Sequence, residues 1–278
     1  MEAPELVALL RGRRTAVLTG AGMSTDSGIP DYRGPDSPPS NPMTIRQFTS
    51  DAAFRQRYWA RNHLGWRHMD QTMPNAGHRA LAALQRAGIV SGVITQNVDL
   101  LHTKAGSPGV IDLHGSYAQV VCLDCGHTMT RAALADLLEQ ANPGFAARAA
   151  TLGGIAVAPD ADAMVSDTAS FRIVDCPHCG GMLKPDIVYF GESVPKARVD
   201  QAYSLVDAAD ALLVAGSSLT VYSGFRFVRH AAAKGMPVAI INRGPTRGDD
   251  LADVKIDNGC SPMLALLADE LPALASSA

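Results

Sequence analysis

Short apolar runs alternate with longer helical patterns along most of this chain, and that alternation restricts its fold more than any other feature. We predict strands at residues 14–19, 89–95, 110–113, 187–189, 211–215, 238–241 and, more weakly, 254–256. The helical patterns cover residues 44–88, with a break at 73–75, and residues 197–209, 223–234 and 263–271. Strands that alternate with helices form a parallel sheet with helices on both faces. The sequence therefore predicts an α/β fold built on a Rossmann-like parallel sheet.

A cysteine-bearing region interrupts the alternation and is predicted to be an inserted module. The resulting division is a discontinuous Rossmann-like domain (1–35, 89–117 and 184–278), a loop with a helical module (36–88) and a metal-binding module (118–183). Residues 29–42 contain five prolines, which predicts a long loop, and loops of that length are usually functional. An alanine- and glycine-rich stretch at 142–169 is interpreted as a helix followed by a mobile loop.

Two C-x-x-C pairs, each followed by a glycine, are the strongest local signal. The pairs are Cys122 with Cys125 and Cys176 with Cys179. Two thiolates from each pair complete a tetrahedral site, and an all-sulfur site favours zinc. The 50 residues between the pairs exceed the usual spacing, and four free buried thiols are the alternative. Because four sulfurs leave no position for water, we predict a structural zinc ion that does no chemistry.

Charge and hydropathy exclude several classes of protein. The chain has 278 residues and a net charge of -3, so its balance does not indicate nonspecific nucleic-acid binding. It contains no run of about 18 apolar residues to predict a membrane span, and its start is too charged for a secretory signal. We therefore expect a cytoplasmic protein that is a monomer or a weak oligomer. One basic run is a solvated helix face or, alternatively, a site for an acidic ligand: Arg55, Arg57, Arg61 and Arg67.

Glycines and small polar residues follow three of the predicted strands. The first strand leads into residues 20–25 (GAGMST) and then a predicted helix, an arrangement that lets backbone N–H groups approach a pyrophosphate. A full dinucleotide fingerprint would have a third glycine at Thr25, so a tight turn without a ligand is the alternative. Residues 216–220 and 242–244 follow two later strands. Three such ends favour one nucleotide-sized site at the carboxyl edge of the sheet.

Polar residues also follow the second and third predicted strands, at 96–99 and 112–116. His114 lies there and is a candidate general base, because its intrinsic pKa is near neutrality; a structural histidine is the alternative. Cys260 is interpreted as a small packing residue rather than a nucleophile, since no base is implied beside it. A serine-hydrolase mechanism is poorly supported because no G-x-S-x-G elbow is present. Other histidines are interpreted as helix or packing residues: His63, His68, His78, His102 and His230.

Seven segments, in order along nearly the whole chain, resemble the sirtuin family of NAD-dependent protein-lysine deacylases. They are TGAGMSTDSGIPDYR (19–33), TQNVDLLHTKAG (95–106), DLHGS (112–116), the two cysteine pairs, KPDIVYFGE (184–192), GSSLTVYSG (216–224) and INRGPT (241–246). The wide gap between the cysteine pairs and the YWAR and PNAGHRAL segments are similar to the class II subgroup. That subgroup contains a mitochondrial lipoamidase and ADP-ribosyltransferase as well as bacterial members.

The resemblance implies that NAD, as co-substrate, and an acylated peptide meet in one cleft beside a structural zinc module. His114 and Asn97 are implied to be catalytic. The residues implied to bind NAD are Gly20, Ala21, Gly22, Ser24, Thr25, Ile29, Pro30, Asp31, Tyr32, Arg33, Gln96, Asn97, Val98, Asp99, Gly216, Ser217, Ser218, Asn242, Arg243, Gly244 and Cys260. Those implied to pair with the peptide as an added strand are Val188, Tyr189, Phe190, Gly191, Glu192, Val221 and Tyr222.

The resemblance also implies the reaction. The acyl oxygen of the modified lysine attacks the ribose carbon that carries nicotinamide, nicotinamide leaves and an imidate forms. His114 then removes a proton from a ribose hydroxyl, which attacks the imidate carbon. Lysine and an O-acyl-ADP-ribose are released and no hydride moves. The predicted function is therefore NAD-dependent deacylation, in particular deacetylation, of lysines in acylated proteins or peptides.

Several alternative functions are compatible with parts of the same sequence pattern. A protein mono-ADP-ribosyltransferase or a lipoamidase would use the same site, and a noncatalytic module would bind NAD or zinc without turnover. A hydride-transferring dehydrogenase is disfavoured by the incomplete fingerprint. Family members that act on acidic acyl groups carry a Tyr-x-x-Arg pair. Tyr58 and Arg61 have that spacing, but they lie further from Asn75 than expected, so ordinary helix residues are the favoured interpretation.

Overall fold

The computed structural model describes residues 3–34, 42–150 and 168–271, which form two sheets surrounded by helices. The strands are β1 (Thr15–Thr19), β2 (Val90–Thr95), β3 (Ile111–Asp112), β4 (Gly115–Cys122), β5 (Thr128–Thr130), β6 (Leu183–Ile187), β7 (Ala211–Ala215), β8 (Val238–Ile241) and β9 (Val254–Ile256). The α-helices are α1 (Pro4–Leu10), α2 (Ile45–Ser50), α3 (Ala52–Gln71), α4 (Ala76–Arg86), α5 (Leu101–Lys104), α6 (Arg131–Ala141), α7 (Phe145–Ala150), α8 (Lys196–Asp207), α9 (Tyr222–Ala233) and α10 (Cys260–Glu270).

The larger sheet confirms the predicted Rossmann-like fold. Its six strands are parallel, in the order β3-β2-β1-β7-β8-β9. Thr19 at the end of β1 is level with Thr95 on β2 and with Ala215 on β7, so the loops after these strands leave from one edge. Every residue of β1, β7 and β8 is buried. Continuous burial is typical of parallel strands that are covered on both faces.

Two apolar cores cover the two faces of this sheet. Val17 of β1 belongs to the core that α1, α4 and α10 complete, whereas Ala16 and Leu18 belong to the core formed with α8 and α9. Successive side chains of a strand point to opposite faces, so one short strand contributes to both cores. This sandwich holds the strand ends in place while the loops beyond them carry polar residues.

The break predicted in the long helical region lies at Pro74, between α3 and α4. Asn75 caps the N-terminus of α4, because its Oδ1 accepts a hydrogen bond from the N–H of His78 at 3.2 Å. The Asn75 amide also donates to the carbonyl of Met23 at 2.9 Å. One side chain therefore starts a helix and ties it to the turn after β1.

One strand of the second sheet corrects a prediction. The apolar pattern predicts a strand at residues 187–189, but the strand is β6, which ends at Ile187 and pairs antiparallel with β4 in the order β5-β4-β6. The start of β6 at Leu183 is not evident from the sequence, because Lys184 interrupts the apolar pattern. This lysine is nevertheless buried, because its ammonium group bonds to Glu192 and to the carbonyl of Ile187.

A third core joins the two regions that were predicted as separate modules. Phe48 of α2 and Trp59 of α3 pack in one cluster with Leu134 of α6 and with Phe171. The guanidinium group of Arg131 is buried in this region, stacked on Trp59 and bonded to Asn62. The helical segment and the cysteine-bearing segment thus share their apolar interior. The division of the chain into domains stays a prediction.

Two predicted loops lie partly outside the described residues. The proline-rich loop is described at 29–34 and at 42, and the mobile loop predicted within 142–169 lies mostly at 151–167, outside the described residues. The helix predicted at the start of 142–169 is confirmed as α7. Among helices in the described ranges, none combines the length and the apolar character that a bilayer-crossing segment requires.

Candidate active site

A cleft of about 1110 Å³ lies where β1, β2, β7 and β8 end, between the two sheets. A smaller cavity of about 200 Å³ adjoins it, since both are lined by Gly22 and Gly216. The predicted peptide residues and His114 all line the cleft, as do all predicted NAD residues except three. The three exceptions line the smaller cavity: Thr25, Pro30 and Cys260. The structure therefore brings every predicted site residue other than the cysteines of the metal site to one continuous region.

The turn after β1 differs from the prediction of an α-helix. Two short 3-10 turns follow instead, Ala21–Met23 and Thr25–Ser27, and Gly28 ends them in the left-handed conformation at φ 86°. A Cβ atom on Gly20 or Gly22 would lie within about 3 Å of Gly216. The N–H groups of both glycines bond to the end of β7, at Ala215 and Gly216. These glycines therefore allow two loops to pack together, and their N–H groups are not free for a phosphate.

Three polar side chains form a cluster beside this turn, in which Ser24 and Asp99 are buried and Asn97 is half-buried. Ser24 Oγ donates a hydrogen bond to Asp99 at 2.6 Å, and the Asn97 amide donates to Ser24 Oγ at 3.1 Å and to the carbonyl of Gly20 at 3.0 Å. Burial raises the pKa of the Asp99 carboxyl, although the bonds from Ser24 and from the Leu101 N–H oppose that rise. The cluster fixes the loop after β2 against the turn after β1 and gives one end of the cleft hydrogen-bonding groups.

Gln96 connects the loops after three strands. Its N–H bonds to the carbonyl of Thr19 at 2.9 Å, and its side-chain amide donates to Ser217 Oγ at 2.8 Å. Its own carbonyl oxygen accepts a hydrogen bond from Nδ1 of His114 at 2.9 Å. Gln96, the first residue of the polar segment 96–99, therefore links the loops that form the site.

His114 follows β3 and is held as a neutral imidazole. A carbonyl oxygen only accepts, so the bond to Gln96 places the ring hydrogen on Nδ1 and leaves a lone pair on Nε2. Burial lowers the pKa of His114 to about 4, so the ring is uncharged at neutral pH. Nε2 lies 2.7 Å from the hydroxyl oxygen of Ser223. A neutral ring whose Nε2 carries a lone pair has the protonation state that a general base needs.

Several residues of the cleft were not assigned a role from the sequence. Ser223 and Arg226 reach the cleft from the start of α9, and Met43 and Ile187 reach it near the predicted peptide strand. Ser223 lies inside the quoted motif 216–224, which was the available signal. The remaining unassigned lining residues are Gly34, Pro42, Ser193, Val194, Thr220, Pro245 and Asp257.

The predicted peptide strand forms one wall of the cleft. The N–H of Val188 bonds to the carbonyl of His114 at 2.8 Å, and the N–H of Phe190 bonds to the carbonyl of Met43 at 3.3 Å. The N–H of Tyr189 bonds to Glu192 at 3.0 Å. These three N–H groups are used within the protein, and the carbonyl groups of Tyr189 and Phe190 already accept hydrogen bonds from the N–H groups of Glu192 and Ile45. Within the described part of the chain, the Val188 carbonyl and the backbone of Gly191 are therefore the groups of this segment best placed to bond an added peptide strand.

Lys184 and Glu192 close this segment into a clip. The ammonium nitrogen of Lys184 lies 3.1 Å from Glu192 Oε2, and the same oxygen accepts the N–H of Tyr189. The side chain of Lys184 is 4% exposed and that of Glu192 27% exposed, so water screens the pair little. The clip sets the path of the chain between β6 and the wall of the cleft.

We predict that Lys184→Met opens the clip. The substitution leaves the Ile187 carbonyl and the Glu192 carboxylate without their partner, which should reduce the free energy of unfolding by about 1–3 kcal/mol and raise KM for the peptide. Lys196→Met is the matched control, because the Lys196 side chain is 87% exposed and its pairing with Asp200 is superficial. Urea denaturation and peptide titrations measure both effects. Equal behaviour of the two variants would contradict the clip.

The four cysteines predicted to bind metal converge on one point. Their sulfur atoms all lie within 4.8 Å of one another, with 3.6 Å between Cys122 and Cys179 and 3.9 Å between Cys125 and Cys176. Four sulfurs at tetrahedral Zn–S bonds of about 2.3 Å would be separated by about 3.8 Å, so the cluster fits zinc. No cleft residue belongs to this cluster, and four sulfur ligands leave no position for water, so the cluster is suited to a structural zinc ion.

Other candidates from the sequence take structural positions. Cys260 is buried, and burial raises the pKa of its thiol to about 12, which is unfavourable for a nucleophile. Tyr58 packs in the third core, and neither it nor Arg61 lines the cleft, so the ordinary-helix interpretation is favoured. His78 and His102 are buried and stack edge to face, at 4.7 Å between ring centres, as packing residues.

The similarity of this chain to known proteins extends over nearly its whole length. Residues 20–223 match the profile of the Sir2 family. A relative from Mycobacterium avium (strain 104), named NAD-dependent protein deacetylase 1, is 76% identical over 273 residues, covering 98% of this chain and 97% of the relative. A relative with the same name from Streptomyces coelicolor (strain ATCC BAA-471 / A3(2) / M145) is 53% identical over 266 residues, covering 94% of this chain and 87% of the relative.

Solved structures give the same result for the fold. One described as "Sir2-p53 peptide-NAD+" superimposes with a TM-score of 0.78 at 32% identity, covering 97% of this chain and 98% of that chain. Another, "Sir2 bound to acetylated peptide", has a TM-score of 0.74 at 29% identity with the same coverage.

Proposed function

Because the chain belongs to the Sir2 family, we propose that it deacetylates protein lysines in the cleft between its two sheets, with His114 as the general base. NAD-dependent protein deacetylation is the function of this chain, NAD is its co-substrate and acetylated proteins or peptides are its substrates. The roles of the individual residues are the proposal that follows.

The observation that carries this proposal is the state and position of the His114 ring. Its Nδ1–H is held by the Gln96 carbonyl, so its one basic nitrogen is Nε2. Gln96 belongs to the predicted NAD site, while the His114 carbonyl bonds to Val188 of the predicted peptide wall. A base attached to both walls is suited to a reaction in which a nucleotide ribose and an acylated lysine meet.

The cleft has the size and the polar groups that NAD requires. NAD supplies the ribose carbon that accepts the acyl oxygen and the nicotinamide that leaves. We assign the nicotinamide end to Ile29, Asn97 and Asp99, and the nicotinamide ribose to Gln96. The pyrophosphate is assigned to the neighbourhood of Ala21, where Ser217 and Ser218 can donate hydrogen bonds. The adenosine half is assigned to Asn242, Arg243 and Cys260.

The cleft also separates the reacting groups from water. Ile29, Val98 and Met43 contribute apolar surface to its walls, and Tyr32 lies edge to face with Phe190 at 6.5 Å between ring centres. Burial of the reacting groups strengthens hydrogen bonds to them and limits hydrolysis of NAD. Tyr32 and Arg33, in the described first part of the proline-rich loop, line this side of the cleft.

The function is tested by incubating the purified protein with NAD and an acetylated peptide, and quantifying nicotinamide and acetyl-ADP-ribose by chromatography. Equal amounts of the two products are expected, and neither should form without NAD. Two parallel reactions test the alternatives: labelled NAD with unmodified protein for ADP-ribosyl transfer, and a lipoyl peptide for lipoamidase activity. Label transfer without deacetylation would overturn the proposal.

Four finer expectations remain predictions. The motifs YWAR and PNAGHRAL favour the class II subgroup, and the cysteine usage favours a cytoplasmic location. A monomer or weak oligomer without nucleic-acid partners is consistent with the net charge of -3. The division into an NAD-binding domain, a cofactor-loop module and a zinc module has the boundaries given above.

A further inference from the structure

Ser223 contacts the one basic atom of the proposed base. It is the second residue of α9, it lines the cleft, and it is 9% exposed. Its Oγ lies 2.7 Å from Nε2 of His114, a short distance for a hydroxyl–nitrogen hydrogen bond. Among the described residues, this is the one hydrogen-bond partner recorded for that nitrogen.

The direction of the proton in this contact follows from the other side of the ring. Nδ1 carries the hydrogen that bonds to the Gln96 carbonyl, so Nε2 of the neutral ring can only accept. Ser223 must therefore donate its hydroxyl hydrogen to Nε2. The lone pairs of the same oxygen remain able to accept a hydrogen bond from a ligand in the cleft.

The packing of α9 keeps Ser223 in this position. The next residue is Gly224, where a Cβ atom would lie 2.5 Å from the side-chain oxygen of Gln96. The first turn of the helix therefore packs directly against the residue that orients His114. Oγ also lies at a helix N-terminus, whose positive end stabilises negative charge that develops on the hydroxyl.

We propose that Ser223 is a catalytic residue that relays the ribose proton to His114, an inference that rests on the proposed role of His114 as the base. In this step the ribose O–H bond breaks and its proton moves to Ser223 Oγ. The original Ser223 proton moves to Nε2, so His114 becomes an imidazolium and the serine is unchanged. The electron pair left on the ribose oxygen forms the bond to the imidate carbon, and the π pair of its C=N bond moves to the lysine nitrogen. His114 later returns its proton to the departing lysine amine.

The competing interpretation is that Ser223 only covers the base and must swing away before His114 contacts the ribose. The two interpretations predict opposite effects of removing the hydroxyl. Loss of a relay slows the chemical step, whereas loss of a cover leaves its rate unchanged or raises it.

The experiment compares Ser223→Ala and Ser223→Thr with the native enzyme under saturating NAD and acetylated peptide. For a relay, Ser223→Ala should lower kcat by about 10- to 100-fold with little change in either KM, and Ser223→Thr, which keeps the hydroxyl, should retain most of the activity. Ser204→Ala is the matched control, because that hydroxyl bonds to the Asp200 carbonyl on the exposed face of α8. Calorimetric titration with NAD checks that each variant is folded and binds.

Rates in mixtures of light and heavy water add a readout that a structural role would not move. Two protons in flight give a curved dependence on deuterium content in the native enzyme, and one proton gives a straight line in Ser223→Ala if slow transfer to His114 persists. Unchanged or faster turnover of Ser223→Ala, or a change confined to KM, would overturn the relay.

The double variant separates this inference from the proposed function. In the His114→Ala background, Ser223→Ala should cause no further loss, because the relay has no acceptor. A further loss of the full 10- to 100-fold would show that the serine acts independently of the histidine and would sink the relay. Full activity of His114→Ala itself would instead refute the base.

Discussion

His114→Ala is expected to lower the rate of deacetylation by about 100- to 10,000-fold, the usual contribution of a positioned general base. The reason is that Nε2 of the neutral ring is the acceptor for the ribose proton, and alanine leaves that proton without a destination. The loss should be in kcat, because the ring follows β3 while the predicted NAD contacts come mainly from the loops after β1, β2, β7 and β8. Steady-state production of acetyl-ADP-ribose is the measurement.

His68→Ala provides the control for this variant. His68 is exposed near the end of α3, and its replacement should leave turnover within experimental error of the native enzyme. His114→Gln, which keeps a polar side chain of similar length but is not a base, should be as inactive as the alanine variant. Turnover by either His114 variant at the native rate would remove the histidine from the mechanism.

Loss of zinc is expected to abolish activity by unfolding the second sheet. Structural zinc sites contribute on the order of 10 kcal/mol to folding. A three-stranded sheet is not expected to stay folded after losing that much stabilisation. Cys122 is the last residue of β4, which begins just after His114, and Cys176 precedes β6, which ends just before Val188. The ion therefore links the two strands that carry these site residues. Cys176→Ser, or a strong chelator, should therefore lower the melting temperature and stop deacetylation together.

The measurement is zinc content by atomic absorption alongside thermal unfolding and activity. One zinc ion per chain is expected in the native protein, and readdition of zinc should restore chelator-treated protein that has not aggregated. His127→Ala is a matched control. His127 is exposed, two residues after Cys125, and does not belong to the cysteine cluster. Unchanged stability and activity after verified loss of the metal would contradict a structural role.

The location of the cleft could be predicted from the sequence because the features that indicate it lie in short, continuous segments of the chain. Thr19, Thr95 and Ala215 each end an apolar run and are followed by glycine or polar residues. Parallel pairing brings such ends together without knowledge of any particular contact. The metal site is equally local, since each C-x-x-C pair specifies its own half of the cluster.

Contacts between distant parts of the chain could not be predicted in this way. Ser223 meets His114 across 109 positions of sequence, and the contact depends on how α9 packs against Gln96. Lys184 reads as a surface residue until its partner Glu192 is known. The 3-10 turns after β1 follow from packing of Gly20 and Gly22 on Gly216, which no local propensity encodes.

The same packing changes how the glycine turn is interpreted. In the sequence, Gly20 and Gly22 are a partial dinucleotide fingerprint whose N–H groups approach a phosphate. In the structure their N–H groups bond to the end of β7. The glycines therefore shape the cleft rather than line it with donors, and substitution at either position should disturb the strand ends before it disturbs NAD binding.

The chain passes from the parallel sheet into the antiparallel one at Gly115. Its φ is 83°, and a Cβ atom there would lie 1.9 Å from the carbonyl oxygen of Asp186, so no other residue fits. His114, the residue before Gly115, is thus held at the point where the chain passes from one sheet to the other. A rotation of one sheet relative to the other about this junction would move His114 less than it moves the outer strands. The imidazole ring would then keep its orientation toward the ribose while ligands bind and leave.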